Sequence, residues 1–178
     1  MIRTVAAIVV CLVSFAVWAQ VSTTESGQFP ILSVCEALSN RLKYDGQMVR
    51  IRAQNTGTTE SSNLIGDHCS GSLLTEGYRW DWIISLASPG AGNTIHPINF
   101  RFDEASMRRV FLKYEQLRPQ LKPHECLVIT VTGLFETHEE WTWTRLGTPR
   151  GFGHLNGAMA QLVARTYDDV EVVPNCGM

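Results

Sequence analysis

The chain has no excess of positive charge, its 15 Lys and Arg being set against 17 Asp and Glu. A protein that grips phosphate backbones needs a basic stripe or patch, so the sequence points away from nucleic acid. It also lacks a long apolar run. The stretch Val5 to Ala16, interrupted by Ser14, falls short of the roughly 20 residues that a membrane-spanning helix requires. There is no Gly-x-Ser-x-Gly elbow, P-loop, dinucleotide fingerprint or EF-hand loop, so no linear motif announces catalysis or nucleotide binding. Cysteine pairs of the C-x-x-C kind are missing as well, which argues against a four-thiolate zinc site. No metal or cofactor is expected. Internal repeats and low-complexity tracts are absent too.

What is present at the amino terminus is an export pattern. Arg3 supplies positive charge, Val5 to Ala16 an apolar core, and Val17 and Ala19 the small residues that precede a cleavage site. Residues 1–19 therefore read as a secretory signal cut before Gln20. Cys11 lies midway through the apolar core, where a lipid-attachment cysteine would come at its end. Removing Arg3 with the signal leaves 14 basic against 17 acidic residues, about −3. The remaining 159 residues are enough for one domain. They carry Cys35, Cys69, Cys126 and Cys176, and an even number of cysteines in an exported chain implies disulfides. Four cysteines allow three pairings, and spacing does not choose among them.

Residues 20–32 read as an extended leader. Ser33 and Glu36 then form the S-x-x-E pattern of a capping box, opening a short helix with Val34, Leu38 and Leu42 on its apolar face and the Tyr44-Asp45-Gly46 turn after it. From Met48 the period becomes two, with Val49, Ile51 and Ala53 alternating with Arg50, Arg52 and Gln54, a half-buried strand. After a polar loop, Asn55 to Asn63, a short second strand is expected at Leu64 and Ile65. A third is expected through Trp80, Trp82, Ile84 and Leu86, with these large residues on one core face, and Ser88 to Asn93 closes it. Asp103 caps a helix whose apolar side is Met107, Val110, Phe111, Tyr114 and Leu117, stopped by Pro119. Leu127 to Thr132 is the fourth strand, with Gly133 at a bulge. A long loop, Thr137 to Gly157, leads to Ala160–Tyr167 and a fifth strand ending at Pro174, with a break at Asp168 and Asp169.

Three strands, a helix and two strands is the element order of the OB-fold, a five-stranded Greek-key β-barrel. The expected organisation is thus a single OB-fold-like domain over residues 33–176, mainly β, with a helix between strands three and four and an additional helix at Ser33. In such a barrel the start of strand four approaches the end of strand five, which favours Cys126 with Cys176. Cys35 with Cys69 would then tie the leading helix to the end of strand two.

The segments Val34-Cys35-Glu36-Ala37-Leu38, Tyr44 to Arg52 and Gly151-Phe152-Gly153-His154-Leu155-Asn156 resemble a group of uncharacterised secreted bacterial proteins with OB-like strands. The Tyr-Asp-Gly-x-x-Val-x-Ile segment is similar to the first strand of many OB-type domains. The resemblance implies a fold and a secreted or periplasmic location, and brings no catalytic residue.

Function is sought in the loop before strand five, because the loop joining strands four and five borders the ligand groove of OB-folds. Trp141 and Trp143 offer flat faces for stacking, and Arg145 and Arg150 offer forked donors for a carboxylate or phosphate. His154 is a candidate proton donor or metal ligand, or else makes a structural hydrogen bond to a backbone carbonyl, the commoner use. The plainer alternative is that Trp141 to Trp143 extend strand four, packing over the barrel with the arginines solvated. His138, Glu139 and Glu140 lack the second histidine of H-E-x-x-H and read as a solvated charge run. Three functions follow: a module binding a saccharide, peptide or small anion; a structural or protein-interaction component of the cell envelope; and a hydrolase using His154 with a carboxylate.

Overall fold

The computed structural model describes residues 29–57, 62–66, 68–87, 100–174 and 176. The expected signal, most of the leader and the turn at Ser88 to Asn93 lie outside the described residues. The leader ends in a strand, β1 (Ile31–Leu32), lying parallel to Arg50 and Ile51. The capping box then forms as the sequence requires. The Glu36 amide donates to Ser33 Oγ (3.2 Å) and the Ser33 amide to Glu36 Oε2 (2.8 Å), opening α1 (Val34–Ser39).

The helix does not run on to Lys43. Asn40, at φ −115° and ψ 29°, breaks it, and a separate turn, α2 (Arg41–Tyr44), follows. The break rotates the helical frame, so Val34 and Leu38 are buried while Leu42 is 53% exposed, off the face that unbroken periodicity assigned to it.

The barrel strands are β2 (Gln47–Gly57), β3 (Ser62–Ile65), β6 (Ile83–Ala87), β7 (Glu125–Thr137) and β8 (Ala160–Pro174), with a hairpin of β4 (Leu73–Thr75) and β5 (Tyr78–Trp80) between β3 and β6. Their order is β2-β3-β6-β8-β7, and β7 pairs back onto β2 to close the ring. All neighbours are antiparallel except β6 and β8, which run parallel from Ile84–Ala160 to Ala87–Val163. This is the closed five-stranded barrel of OB type, with α3 (Glu104–Leu117) between the third and fourth barrel strands. Val49, Ile51 and Ala53 face the core, joined by Leu64, Ile84, Val131 and Phe135.

Several elements differ from their expected extents. Trp80 is buried, but it belongs to the β4–β5 hairpin, and the third barrel strand begins only at Ile83. The period-two pattern runs through both strands, so the interruption at Asp81 and Trp82 leaves no trace in it. The hairpin turn is Glu76-Gly77, both at positive φ (47° and 87°), the mirror-type turn that suits twisted strands. The polar stretch after Gln54 is not all loop, since Asn55, Thr56 and Gly57 continue β2 against Leu64, Asn63 and Ser62.

The fifth strand is unbroken, and its register shifts twice against β7: Thr130 faces Asp169 and Val131 faces Tyr167, then Thr132 faces Thr166 and Gly133 faces Ala164. Asp168 and Arg165 are therefore the extra residues of two bulges. Asp168 turns its carboxylate onto Arg50 Nε (3.0 Å), Thr132 Oγ1 (2.7 Å) and Thr166 Oγ1 (2.9 Å), clamping β2, β7 and β8.

The start of α3 uses the backbone beside the same bulges. Asp103 caps the helix through Oδ1, which accepts from the Ser106 amide (3.0 Å), while its own amide donates to the Arg165 carbonyl (2.8 Å). Ser106 Oγ, buried, accepts from the Tyr167 amide (3.0 Å). Val110 packs into the core, and Phe111, expected on the same face, stays largely exposed, its ring 5.9 Å from that of Tyr167. Burial at this seam pushes the Tyr167 hydroxyl up to about 12.

Candidate functional site

Both disulfides form with the pairing that barrel topology favours. Cys35 joins Cys69 (Cα–Cα 5.3 Å) and Cys126 joins Cys176 (5.9 Å). Between them lies a cavity of about 210 Å³. Val34, Val128 and Pro174 give it apolar walls, and Arg52 and His68 also line it. Arg52 is engaged with Glu171 at 2.7 Å. The cavity draws its walls from five separate segments of chain, and no spacing in the sequence foreshadows it.

The loop between β7 and β8 leaves the other end of β7. The turn before β2 secures its root: the Gly46 amide, at φ 69°, donates to the Phe135 carbonyl (2.9 Å), and Asp45 Oδ1 accepts from the Thr137 amide (2.8 Å). From there the chain does not extend β7. It folds into two consecutive small hairpins. The first is bridged at Trp143 and Pro149 and the second at Phe152 and Ala158, where the two amides and carbonyls exchange hydrogen bonds of 2.8 and 3.1 Å.

A set of rings supports these hairpins. Trp141 leans on Trp80 with centroids 4.9 Å apart, His138 meets Trp141 edge-on at 5.0 Å, and His138 stacks on Phe152 at 4.4 Å with the planes 11° apart. Offset and edge-on contacts of this kind add about 0.5–1.5 kcal/mol each beyond the area they bury. Pro149 is fully buried, and a Cβ on Gly151 would overlap Trp80 and the Ala158 carbonyl, so only glycine lets the loop lie this close. The Trp141 indole N–H is buried with no hydrogen-bond partner in the described structure.

The sequence candidates therefore divide. Trp141 is a half-buried pillar packed over the barrel, as the plainer alternative had it, though not as part of β7. Trp143 is 37% exposed, and Arg145 and Arg150 are exposed with it. His154 is exposed and starts a tight turn, its carbonyl accepting from the Gly157 amide (3.3 Å).

His138 corrects the expectation of a solvated charge run. Glu139 and Glu140 are exposed, but His138 is half-buried among the rings. Burial lowers its pKa below the ordinary 6.5, against an upward pull from the charges of Asp45 and Glu136. The sequence does not reveal this role because the stacking partner, Phe152, lies in the other arm of the loop.

Two further residues stand out. Leu146 and Leu155, at the tips of the two hairpins, are 90% and 85% exposed. Among the described residues no group of three or more His, Cys, Asp or Glu is placed to hold a metal, and no helix is long and apolar enough to cross a membrane. No protein-family model, curated protein or solved structure matches the chain.

Proposed function

We propose that the chain is an exported binding module of the secreted bacterial type that its sequence resembles, with the outer part of the β7–β8 loop as its recognition surface. The observation that carries this reading is the division of labour within the loop. Trp141, His138 and Phe152 are spent on holding it against Trp80, while Trp143, Arg145, Leu146, Arg150 and Leu155 are displayed. A loop that served only to connect two strands would need neither the rings nor the exposed leucines. Such a surface suits a ligand offering both an apolar group and negative charge, because forked guanidinium donors match carboxylate and phosphate. Export is supported by the signal-like residues 1–19 and by two disulfides, which persist in oxidising compartments.

Expression of the full chain in a bacterial host with cell fractionation tests the export. The expected product is periplasmic or secreted, begins at Gln20 and has no free thiol. A reduced cytosolic product that keeps residues 1–19 would overturn this part of the reading. For the surface, the exported wild type is compared with a Trp143→Ala, Arg145→Ala, Arg150→Ala variant on a panel of oligosaccharides, carboxylates, phosphates and lipid vesicles. Loss of the bound class in the variant is expected, and unchanged retention of every ligand that wild type binds would remove the loop assignment.

A further inference from the structure

We infer that the recognition surface docks on an anionic lipid bilayer, with Leu146 and Leu155 entering the interface and Arg145 and Arg150 meeting the headgroup phosphates; this rests on the loop being the recognition surface. Four observations carry the inference. The first is exposure: at 90% and 85%, these are the most exposed large apolar side chains of the described residues, and each stands at a hairpin tip.

The second is that the fold pins the backbone of both tips. Thr144 Oγ1 accepts from the Leu146 amide (3.2 Å) and the Thr148 amide (3.4 Å), and Gly147 turns the chain at φ 74°. Leu155 sits at φ 56° and ψ 21°, and Asn156 follows at φ 57°. A leucine in the left-handed region costs about 1 kcal/mol or more, which glycine or asparagine would avoid. A strained leucine pointing to solvent gives the fold nothing, whereas an apolar partner would use it.

The third observation is charge. From Trp141 to Met159, the part of the loop that carries both hairpins, the chain has no Asp or Glu, yet holds Arg145, Arg150 and His154, in a protein whose formal charge is −2 overall. The nearest preceding acids, Glu139 and Glu140, lie at the root of the loop beside the ring stack. The fourth is Trp143, 37% exposed next to Arg145, the kind of residue that sits well at headgroup level, with one wet end and one apolar end.

Convex tips favour a bilayer over an acidic protein. A protein partner would have to bring a pocket for each leucine at a fixed spacing, whereas a bilayer accepts both without one. Each arginine near an anionic surface is worth about 1 kcal/mol, roughly fivefold in partition coefficient, and inserted apolar side chains add to it.

The test is co-sedimentation of the exported chain with vesicles of phosphatidylcholine alone and of phosphatidylcholine with about one-third phosphatidylglycerol. Wild type is expected to bind the anionic vesicles and to weaken in high salt. Leu146→Ser with Leu155→Ser is expected to reduce binding at least ~10-fold, and Arg145→Gln with Arg150→Gln roughly 25-fold, with far-ultraviolet circular dichroism unchanged. Single-leucine variants report whether both tips insert. No binding of wild type to either vesicle overturns the lipid partner. If the panel then shows loop-dependent binding of an acidic peptide or a soluble phosphate, the loop reading survives without it. Vesicle binding that all these substitutions leave intact removes both.

Discussion

At Cys126 the strand β7 is fastened covalently to Cys176, whereas at Thr137 it runs into a loop held without a covalent link, by stacked rings and the hydrogen bonds of its hairpins. The disulfide end ties down short segments beside the barrel: α1 through Cys35–Cys69, and Cys176, beyond the end of β8, through Cys126–Cys176. The ring end holds a surface in place, burying Pro149 and Ala158 while leaving Leu146 and Leu155 in solvent. A cross-link acts mainly by restricting the unfolded chain and needs no burial. A ring stack acts only in the folded state, and here it includes one histidine whose charged form is disfavoured by burial. The two ends should therefore fail under different conditions.

The largest expected effect is on the covalent side. The bridges close sequence separations of 34 and 50 residues. Replacing either pair by serine should cost about 4 kcal/mol of unfolding free energy, measured by urea titration of the oxidised protein. The Cys126→Ser, Cys176→Ser protein should keep the tryptophan fluorescence of the ring stack. Loss of that fluorescence along with the bridge would show that the two ends are not independent.

A smaller effect separates the ring side by pH. Because burial lowers the pKa of His138, the unfolded chain takes up its proton first, near pH 6.5, and the folded chain only at lower pH. Stability present above pH 6.5 therefore declines as pH falls from there through the depressed folded value. Thermal unfolding should show this decline in wild type and not in His138→Phe, which keeps a ring for Phe152 to stack on. The carboxyls of Glu36 and Asp169, lowered chiefly by hydrogen bonds from Ser33 and Lys113, lose their contribution in a separate and more acidic window, below their ordinary 4.5 and 3.8. A wild-type midpoint that stays flat between neutral pH and that acidic window would contradict the burial of His138.

Much of this architecture was legible in the sequence because local rules agree with the global fold. Ser33 and Glu36 marked the first helix, Asp103 the second, the alternation from Met48 the first barrel strand, and Gly133 a register shift. From these the barrel order followed, and from the order the disulfides. What escaped was set by contacts between distant segments. Trp80 alternates correctly with Ile84 yet lies on a separate hairpin. Asp168 and Asp169 look like a break, but the strand runs through them with Asp168 as a bulge, satisfied by Arg50 from another strand. In the loop the structural roles of the candidate residues were not separable. Nothing local distinguishes Trp141, which meets Trp80, from Trp143, which does not, or says that His138 finds Phe152.

If the ring stack builds the loop and so presents its tips, amide hydrogen exchange of wild type and Trp141→Ala should show it. The amides of Arg150, Phe152 and Ala158 donate to Thr142, Ala158 and Phe152 at 2.8, 2.8 and 3.1 Å. In wild type they should be protected. In Trp141→Ala they should lose that protection while the amides pairing β2 with β7 keep theirs. Equal protection of the three amides in both proteins, or unprotected exchange in wild type, would contradict the account.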